Sequence, residues 1–230
     1  RNDPYYWLRD DKRENPDMLA YLNAENAYTK NKLAHTESLQ QHLFKEMTSR
    51  LEPNKSSVPV FEKGYWYSSN YEEGKDYSIS LRQKGSLTAP KEVLLDQNLR
   101  AQGHDFYQLS AHEISPDQTM LLIAEDTVSR RLYDIKIKKI ASDSYYPETI
   151  TNTSGNAVWA NDNKTLFYVK KDTTTLLPYQ VYRHTLGTDP KEDVLVYQEN
   201  DNTFYTYIYK TRSKRFCVSF CSCNSLFFLF

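Results

Sequence analysis

Apolar residues in the first fifty positions recur at helical spacing. Asn15 followed by Pro16 and Asp17 predicts a helix start, because an Asn side chain caps free N–H groups and proline suits the first turn. This first helix is expected to run to Leu33. After a Thr36 cap, a second amphipathic helix is predicted by apolar residues four positions apart: Leu39, Leu43, Met47 and Leu51. Both helices are expected to end before Pro53.

From Ser57 onward the apolar residues alternate with polar ones, which is typical of β-strands. The predicted strands fall into three successive groups with turns between them. The first group comprises 58–62, 65–71, 77–82 and 93–95; the second 108–114, 120–124, 132–137 and 148–151; the third 157–159, 166–169, 181–186 and 194–197. A further hairpin is predicted from Phe204, with a turn near 212–214.

The groups recur at a spacing that favours a β-propeller. Asp117 and Asp162 occupy equivalent turns 45 residues apart, and a four-stranded propeller blade takes about 40–50 residues. A blade cannot bury both of its faces alone, so successive blades stack radially. We expect a mainly β chain, a partial β-propeller preceded by two N-terminal α-helices. The predicted regions are a helical segment 1–56, a propeller part 57–216 with blades 57–100, 104–153 and 155–200 and the next from 203, and a tail 217–230.

Composition and charge argue against several functions. The formal net charge is −1 and no apolar run approaches the length of a membrane span. The basic positions Lys136 and Lys138 alternate with isoleucines, which predicts a solvated strand face. A second basic group comprises Lys210, Arg212, Lys214 and Arg215, and nucleic-acid binding is not favoured for either group. We therefore expect a cytoplasmic protein that has no nucleic-acid or membrane partner.

The motifs of common catalytic sites are missing from the sequence. No two of the six glycines are four residues apart, which excludes both a Gly-x-Ser-x-Gly nucleophile elbow and glycine-rich phosphate loops. His112-Glu113 lacks the second histidine of a helical zinc motif, since Pro116 stands at that position. The pattern favours a strand ending before a turn. His104-Asp105 with Ser110 has the residue types of a triad without an elbow to hold them.

The last fourteen residues differ in composition from the rest. All three cysteines lie there, at Cys217, Cys221 and Cys223, beside Phe227, Phe228 and Phe230. A zinc site and a truncation or frame artefact are the two interpretations, and the spacing matches no common zinc ligand set. The sequence begins with Arg1, and we expect that the natural N-terminus lies elsewhere. No cofactor or metal is predicted.

Several strings resemble the prolyl oligopeptidase family of serine peptidases, and within it the oligopeptidase B branch. In chain order they are DPYYWLRDD at 3–11, AYL at 20–22, AENAY at 24–28, YEEGK at 71–75, EVLLD at 92–96, SPD at 115–117, DT at 126–127, NTSG at 152–155, WAND at 159–162, LFY at 166–168 and PYQVYRH at 178–184. The resemblance runs from Arg1 to Phe216. Ser129 departs from it, since a glycine is expected there.

This resemblance implies a seven-bladed propeller over an α/β-hydrolase domain, with this chain supplying the first three to four blades. It implies cleavage of short peptides, after Arg or Lys, by a Ser-His-Asp triad whose access the propeller gates. The triad would belong to the hydrolase domain, so no catalytic residue is assigned here and the chain alone is predicted inactive. Two alternatives remain, a non-catalytic propeller interaction module and the prolyl or acylaminoacyl branch of the family.

Overall fold

The computed structural model describes residues 2–223, which divide into two compact units between Pro53 and Asn54. The first unit is helical. Its elements are a 3-10 turn at Tyr6–Leu8, helix α1 (Pro16–Leu33), a 3-10 turn at Ala34–Thr36 and helix α2 (Glu37–Ser49). No helix in residues 2–223 has both the length and the apolar character needed to cross a membrane.

The start of α1 follows from local side-chain chemistry. Asn15 Oδ1 accepts hydrogen bonds from the backbone N–H groups of Asp17 at 3.0 Å and Met18 at 3.3 Å. Two of the unpaired donors at the helix start are thereby satisfied. The predicted cap at Asn15 and the end at Leu33 are both confirmed.

Helix α2 begins differently from the prediction. Thr36 occupies the position before the helix, but its backbone is helical and its side chain caps no N–H group. Its Oγ1 instead donates to the Leu33 carbonyl at 2.7 Å, because the preceding 3-10 turn already continues the helical path. The helix ends at Ser49, so Leu51 lies beyond it, and the predicted stripe of Leu39, Leu43 and Met47 is exposed.

The second unit opens with a four-stranded antiparallel sheet whose strands pair in chain order. They are β1 (Val60–Glu62), β2 (Tyr65–Asn70), β3 (Ile79–Lys84) and β4 (Lys91–Asp96). A short helix, α3 (Gln97–Ala101), follows, which the sequence analysis missed. Asp96 caps it by accepting from the Asn98 N–H at 2.9 Å.

The strands that follow form a larger antiparallel sheet and a separate hairpin. The large sheet contains β5 (Gln108–Ile114), β6 (Met120–Asp126), β7 (Tyr133–Lys139), β8 (Ser144–Tyr145), β9 (Ile150–Trp159), β10 (Thr165–Lys171), β11 (Pro178–Thr185) and β12 (Val194–Gln198). The hairpin pairs β13 (Phe204–Lys210) with β14 (Cys217–Cys223). Mainly β structure after two helices is therefore confirmed.

Strand β9 joins the second and third predicted strand groups. Thr153 pairs with Tyr133 of β7 on one side and with Lys170 of β10 on the other. Gly155 adopts a φ of +78° just after this point, so the chain can turn while remaining in β9. The predicted blade boundary at 153–155 therefore lies inside one continuous strand.

The predicted tail is ordered in its first half. Strand β14 pairs with β13 over seven residues, from Lys210 opposite Cys217 to Phe204 opposite Cys223. Residues 224–230, the rest of that predicted tail, lie outside the described residues.

The core confirms that neighbouring strand groups stack face to face. Every residue of β6 is buried, and its successive side chains enter two different clusters. Leu121 and Ile123 pack with Leu94 and Leu95 of the first sheet. The alternate residues of β6 pack towards the third group, in a cluster that includes Leu122, Ala124, Ile135, Trp159, Leu166 and Tyr168. This is the burial that a single blade cannot achieve alone.

One prediction about this strand group is wrong. Lys136 and Lys138 do not form a solvated face, because neighbouring segments bury Lys138 and contact the partly exposed Lys136. Lys138 is buried and its Nζ donates to the Leu94 carbonyl at 3.0 Å. Lys136 Nζ donates to buried Glu125 at 2.8 Å. Both ammonium groups thus carry structural contacts between strands.

Candidate functional site

A cavity of about 490 Å³ lies among the first strands of the successive strand groups. Residues of β1, β5, the second half of β9, and β13 all contribute to its walls. Val60, His112, Trp159 and Lys210 represent these four strands in turn. This volume falls in the range of about 300–1,000 Å³ typical of small-ligand sites, so the cavity is the candidate site.

Side chains cover parts of the strand edges near the cavity. Trp159 Nε1 donates to the Glu113 carbonyl at 2.9 Å, and Lys210 Nζ donates to the Trp159 carbonyl at 2.8 Å. Asn156 meets β13 at Ile208, donating to its carbonyl at 2.9 Å and accepting from its N–H at 2.7 Å. Such contacts satisfy edge groups that would otherwise pair with another strand.

The hairpin turns after these four strands contact one another, and we call turns 63–64, 115–119, 160–164 and 211–215 the turn ring. Lys63 Nζ of the first turn donates to the Pro116 carbonyl of the second at 2.9 Å. The Asp117 N–H of the second turn donates to Asn163 Oδ1 of the third at 2.9 Å. The first three turns are therefore linked in sequence.

The fourth turn completes this circuit. Asn161 Nδ2 of the third turn donates to the Lys214 carbonyl at 2.9 Å. Lys214 Nζ in turn lies 3.5 Å from Glu62 Oε1, at the end of β1. Both members of this ion pair are about half exposed, so the contact is weak in water.

The equivalent aspartates predicted from the 45-residue spacing organise their turns in the same way. Asp117 Oδ1 accepts from Ser115 Oγ at 2.6 Å and from the Thr119 N–H at 3.1 Å. Asp162 accepts from the Thr165 N–H at 2.9 Å and from Thr165 Oγ1 at 2.7 Å. The aspartates therefore shape the ring rather than face the cavity as free acids.

Five charged side chains line the cavity beside the turn ring: Glu62, Lys63, Glu113, Lys210 and Lys214. Burial raises the pKa of Glu113, an effect that the nearby Lys214 and Lys210 ammonium groups oppose. Burial also lowers the pKa of Lys210, and the Lys63 and Lys214 charges add to this effect. Burial therefore shifts the pKa of both Glu113 and Lys210 towards the neutral form.

His112 and Glu113 lie on the cavity wall near the end of β5, as expected for a strand that ends before a turn. The surrounding protein lowers the pKa of the His112 imidazole by burial, although the side chain retains accessible surface. Within residues 2–223, no group of three or more His, Cys, Asp or Glu side chains is placed to hold a metal ion.

The structure does not bring the other residues of catalytic type together. His104 and Asp105 are exposed in the segment before β5, while Ser110 lies on β5 beside Gly155. No hydrogen bond joins these three side chains in the described part of the chain. They therefore lack the nucleophile–base contact of a triad.

The lysines of the cavity were not predicted as site residues. Lys210 and Lys214 were noted only as members of a basic group, and Lys63 only as part of a turn. Lys210 instead donates to two neutral oxygens, the Trp159 carbonyl at 2.8 Å and Asn161 Oδ1 at 2.7 Å. Each of the three lysines lies in or next to a hairpin turn of the ring, and this recurrence was the available signal.

Comparison with known proteins places the chain among peptidases. Residues 1–226 match the family model described as prolyl oligopeptidase, N-terminal beta-propeller domain. The chain is 43% identical over 235 aligned positions to dipeptidyl aminopeptidase BI of Pseudoxanthomonas mexicana, covering 95% of this chain. It is 28% identical to Protease 2 of Moraxella lacunata, covering 96% of this chain. It spans about a third of these relatives, 32% and 33% of their lengths.

A solved structure supports the same fold. Oligopeptidase B from Leishmania major superposes with a TM-score of 0.89 at 29% identity, over 96% of this chain and 32% of that one. Together with the family match, this confirms the predicted fold class, a partial β-propeller preceded by two helices.

Proposed function

The chain belongs to the prolyl oligopeptidase family of serine peptidases, and from this we propose that it forms the helical lead-in and first blades of a propeller that controls which peptides reach a hydrolase domain. The observation that supports this role is the cavity of about 490 Å³ beside the turn ring. A space of this size accepts a short extended peptide and is too small for a folded protein.

The proposed division of the chain follows the predicted regions. Residues 1–56 form the helical segment, the blades occupy 57–100, 104–153 and 155–200, and a further blade starts at 203. Strand β9 supplies the last strand of the second blade and the first strand of the third, because it pairs with both β7 and β10. Within the proposal, residues 217–223 belong to the fourth blade rather than to a tail.

The bond cleavage itself is assigned to a hydrolase domain that carries the nucleophile. No residue among 2–223 is given a catalytic role, and the purified 230-residue chain is expected to hydrolyse no peptide. Short peptides are the proposed substrates of the complete enzyme, and no nucleic acid, membrane or cofactor is involved.

Two specificities are proposed as alternatives. The resemblance to the oligopeptidase B branch favours cleavage after Arg or Lys. The similarity to Protease 2 and to the Leishmania structure supports the same specificity. The 43% identity to a relative named dipeptidyl aminopeptidase favours removal of dipeptides from a peptide amino terminus. The first mode tolerates a blocked amino terminus, whereas the second requires a free one.

A domain exchange tests the shared part of the proposal. This chain would replace the matching third of dipeptidyl aminopeptidase BI, and cleavage of a fluorogenic peptide would be measured. We expect the exchange protein to cleave the peptide and a serine-directed inhibitor to abolish the activity. The isolated 230-residue chain is the control without a hydrolase domain. A folded exchange protein without activity would contradict the proposal, and so would turnover by the isolated chain.

The two specificities are separated on a longer protein in which this chain precedes its own hydrolase domain. One substrate carries paired arginines behind a blocked amino terminus, and the other carries a free amino-terminal dipeptide. Cleavage of the blocked substrate supports the Arg or Lys specificity. Cleavage of the free dipeptide substrate alone supports dipeptide removal.

A further inference from the structure

We propose that Lys63 and Lys210 form a binding site for the C-terminal carboxylate of a short peptide, at the end of the cavity bounded by the turn ring. This inference rests on the proposed function, and it adds a recognition step to it. Both lysines line the cavity, together with the apolar Val158 and Trp159.

Both ammonium groups are held in place by neutral hydrogen-bond acceptors. Lys63 Nζ donates to the Pro116 carbonyl at 2.9 Å. Lys210 Nζ donates to the Trp159 carbonyl at 2.8 Å and to Asn161 Oδ1 at 2.7 Å. These acceptors are neutral, so they fix the positions of the cations without neutralising their charge. An ammonium group has three donors, so each lysine retains a donor for an anion.

The described ion pairs around the cavity involve Lys214 but neither lysine of the proposed site. Among residues 2–223, Lys214 pairs with Glu62 at 3.5 Å, whereas neither Lys63 nor Lys210 pairs with a carboxylate. The Lys214 and Lys210 charges oppose the burial that raises the pKa of Glu113, but Glu113 forms no ion pair with either lysine among the described residues. The two lysines therefore carry positive charge that no carboxylate within ion-pair distance offsets.

The turns around the cavity carry charged side chains of both signs. Arg212 and Arg215 lie in the fourth turn of the ring, next to Lys214. The acidic residues of the second and third turns, Asp117 and Asp162, are occupied with hydrogen bonds inside their own turns. The lining of the cavity itself contains three lysines, Lys63, Lys210 and Lys214, against two glutamates, Glu62 and Glu113, so an anionic group entering it meets an excess of positive charge.

A carboxylate terminus suits this site better than an acidic protein surface, because the cavity is small. A carboxylate has two oxygens that accept charge-assisted hydrogen bonds from ammonium groups. Val158 and Trp159 offer apolar contact to the last side chains of the peptide. A short peptide offers a C-terminal carboxylate for every few residues, whereas a long protein chain offers one for its whole length. A site for this group would therefore favour short peptides.

The test measures binding of one alanine-rich pentapeptide to the intact 230-residue chain by calorimetry. Three forms are compared: free at both ends, amidated at the C-terminus, and acetylated at the N-terminus. We expect amidation to weaken binding by about tenfold or more, since it removes charge-assisted hydrogen bonds. Acetylation should leave binding unchanged. An amidated peptide that ends in Glu distinguishes a side-chain carboxylate from the terminal one.

The variants Lys63→Gln and Lys210→Gln should weaken binding of the free-acid peptide and leave that of the amide unchanged. Lys91→Gln is the control, because it removes the same charge from an exposed position on β4. Lys63→Gln changes an exposed turn residue, so it keeps the test valid if Lys210→Gln fails to fold.

Three results would overturn the site. Weakening by acetylation rather than amidation would mean that Glu113 binds the amino terminus instead. Tighter binding of the Glu-ended amide than of the free acid would assign the lysines to acidic side chains. Absence of binding at millimolar peptide would also refute it. A negative result in this binding test would not change the result expected for the exchange protein. The carboxylate site and the proposed function can therefore be refuted separately.

Discussion

Gly155 lies against Ser110 so closely that no side chain fits between them. A Cβ placed on residue 155 would lie 2.3 Å from Ser110 Oγ and 2.4 Å from Ser110 Cβ. This close approach occurs where β9 passes from β7 to β10 beside β5. The glycine therefore permits the connection between two strand groups.

Gly155→Ala is expected to lower the free energy of unfolding by about 3 kcal/mol, through a positive φ and a steric clash together. Gly74→Ala is the matched control, since Gly74 has a φ of +74° and no atom within 4 Å of the added Cβ. The control should lose only about 1 kcal/mol. Urea unfolding measures both. Equal losses would refute the clash. In the double variant, Ser110→Gly should recover most of the excess loss, because it leaves only the 3.0 Å contact with Tyr133 Cδ2.

Asn156→Asp tests the side chain that covers the edge of β13. The carboxylate can still accept from the Ile208 N–H, but it loses the donor that binds the Ile208 carbonyl at 2.9 Å. We expect a loss of about 2 kcal/mol, because an acceptor then faces an acceptor. Urea unfolding measures the loss. Asn202→Asp, at an exposed position, is the control and should change little. Equal stability of the two variants would show that the edge contact contributes nothing.

Glu125 should make stability depend on acid pH. Burial raises the pKa of this carboxyl, but hydrogen bonds from Arg100 and Lys136 outweigh burial, so the net shift is downward. With a folded pKa below the unfolded one, the contribution is present above the ordinary glutamate pKa and is lost as pH falls through the folded pKa.

Glu125→Gln should therefore cost about 2 kcal/mol at pH 7 and flatten the loss of stability on acidification. This expected loss of unfolding free energy is smaller than that for breaking a fully buried ion pair, because Arg100 and Lys136 are about a third exposed. Thermal unfolding from pH 7 to pH 3 measures the effect. Exposed Glu72→Gln is the control. An unchanged acid limb in Glu125→Gln would contradict the assigned shift.

Ser129 occupies a turn in which the family resemblance implies glycine. Its φ is +64°, in the left-handed region that disfavours side chains. The turn is held by Asp126, whose carboxylate accepts the Ser129 N–H at 3.0 Å and the Arg131 N–H at 2.7 Å. Ser129→Gly should leave the unfolding free energy unchanged or higher, whereas Ser129→Val should lower it by about 1–2 kcal/mol. Urea unfolding compares them, and a stable Val variant would refute the strain.

Local chemistry was readable from the sequence. The Asn15 cap and the turns at Asp117 and Asp162 each involve residues within a few positions of one another. Alternation placed most strands within one or two residues of their observed bounds. The family strings then identified the architecture, since their order is specific even though each string is short.

Contacts between distant segments were not readable in this way. The pattern of Lys136 and Lys138 looked solvated because a strand's own sequence does not show what packs on its polar face. The continuity of β9 was missed for a related reason, since strand 150–159 contains the Asn152 and Gly155 positions of positive φ that normally end a strand.

The sequence by itself determined the two N-terminal helices, most of the strands and the family. Tertiary structure decided which lysines line the cavity, which strand edges are covered, and how the four turns connect. The reason is distance along the chain: propensity, capping and alternation act over a few residues, while Lys63–Pro116, Asn156–Ile208 and Asn161–Lys214 join residues more than fifty positions apart. Such contacts exist only after the strand groups have stacked.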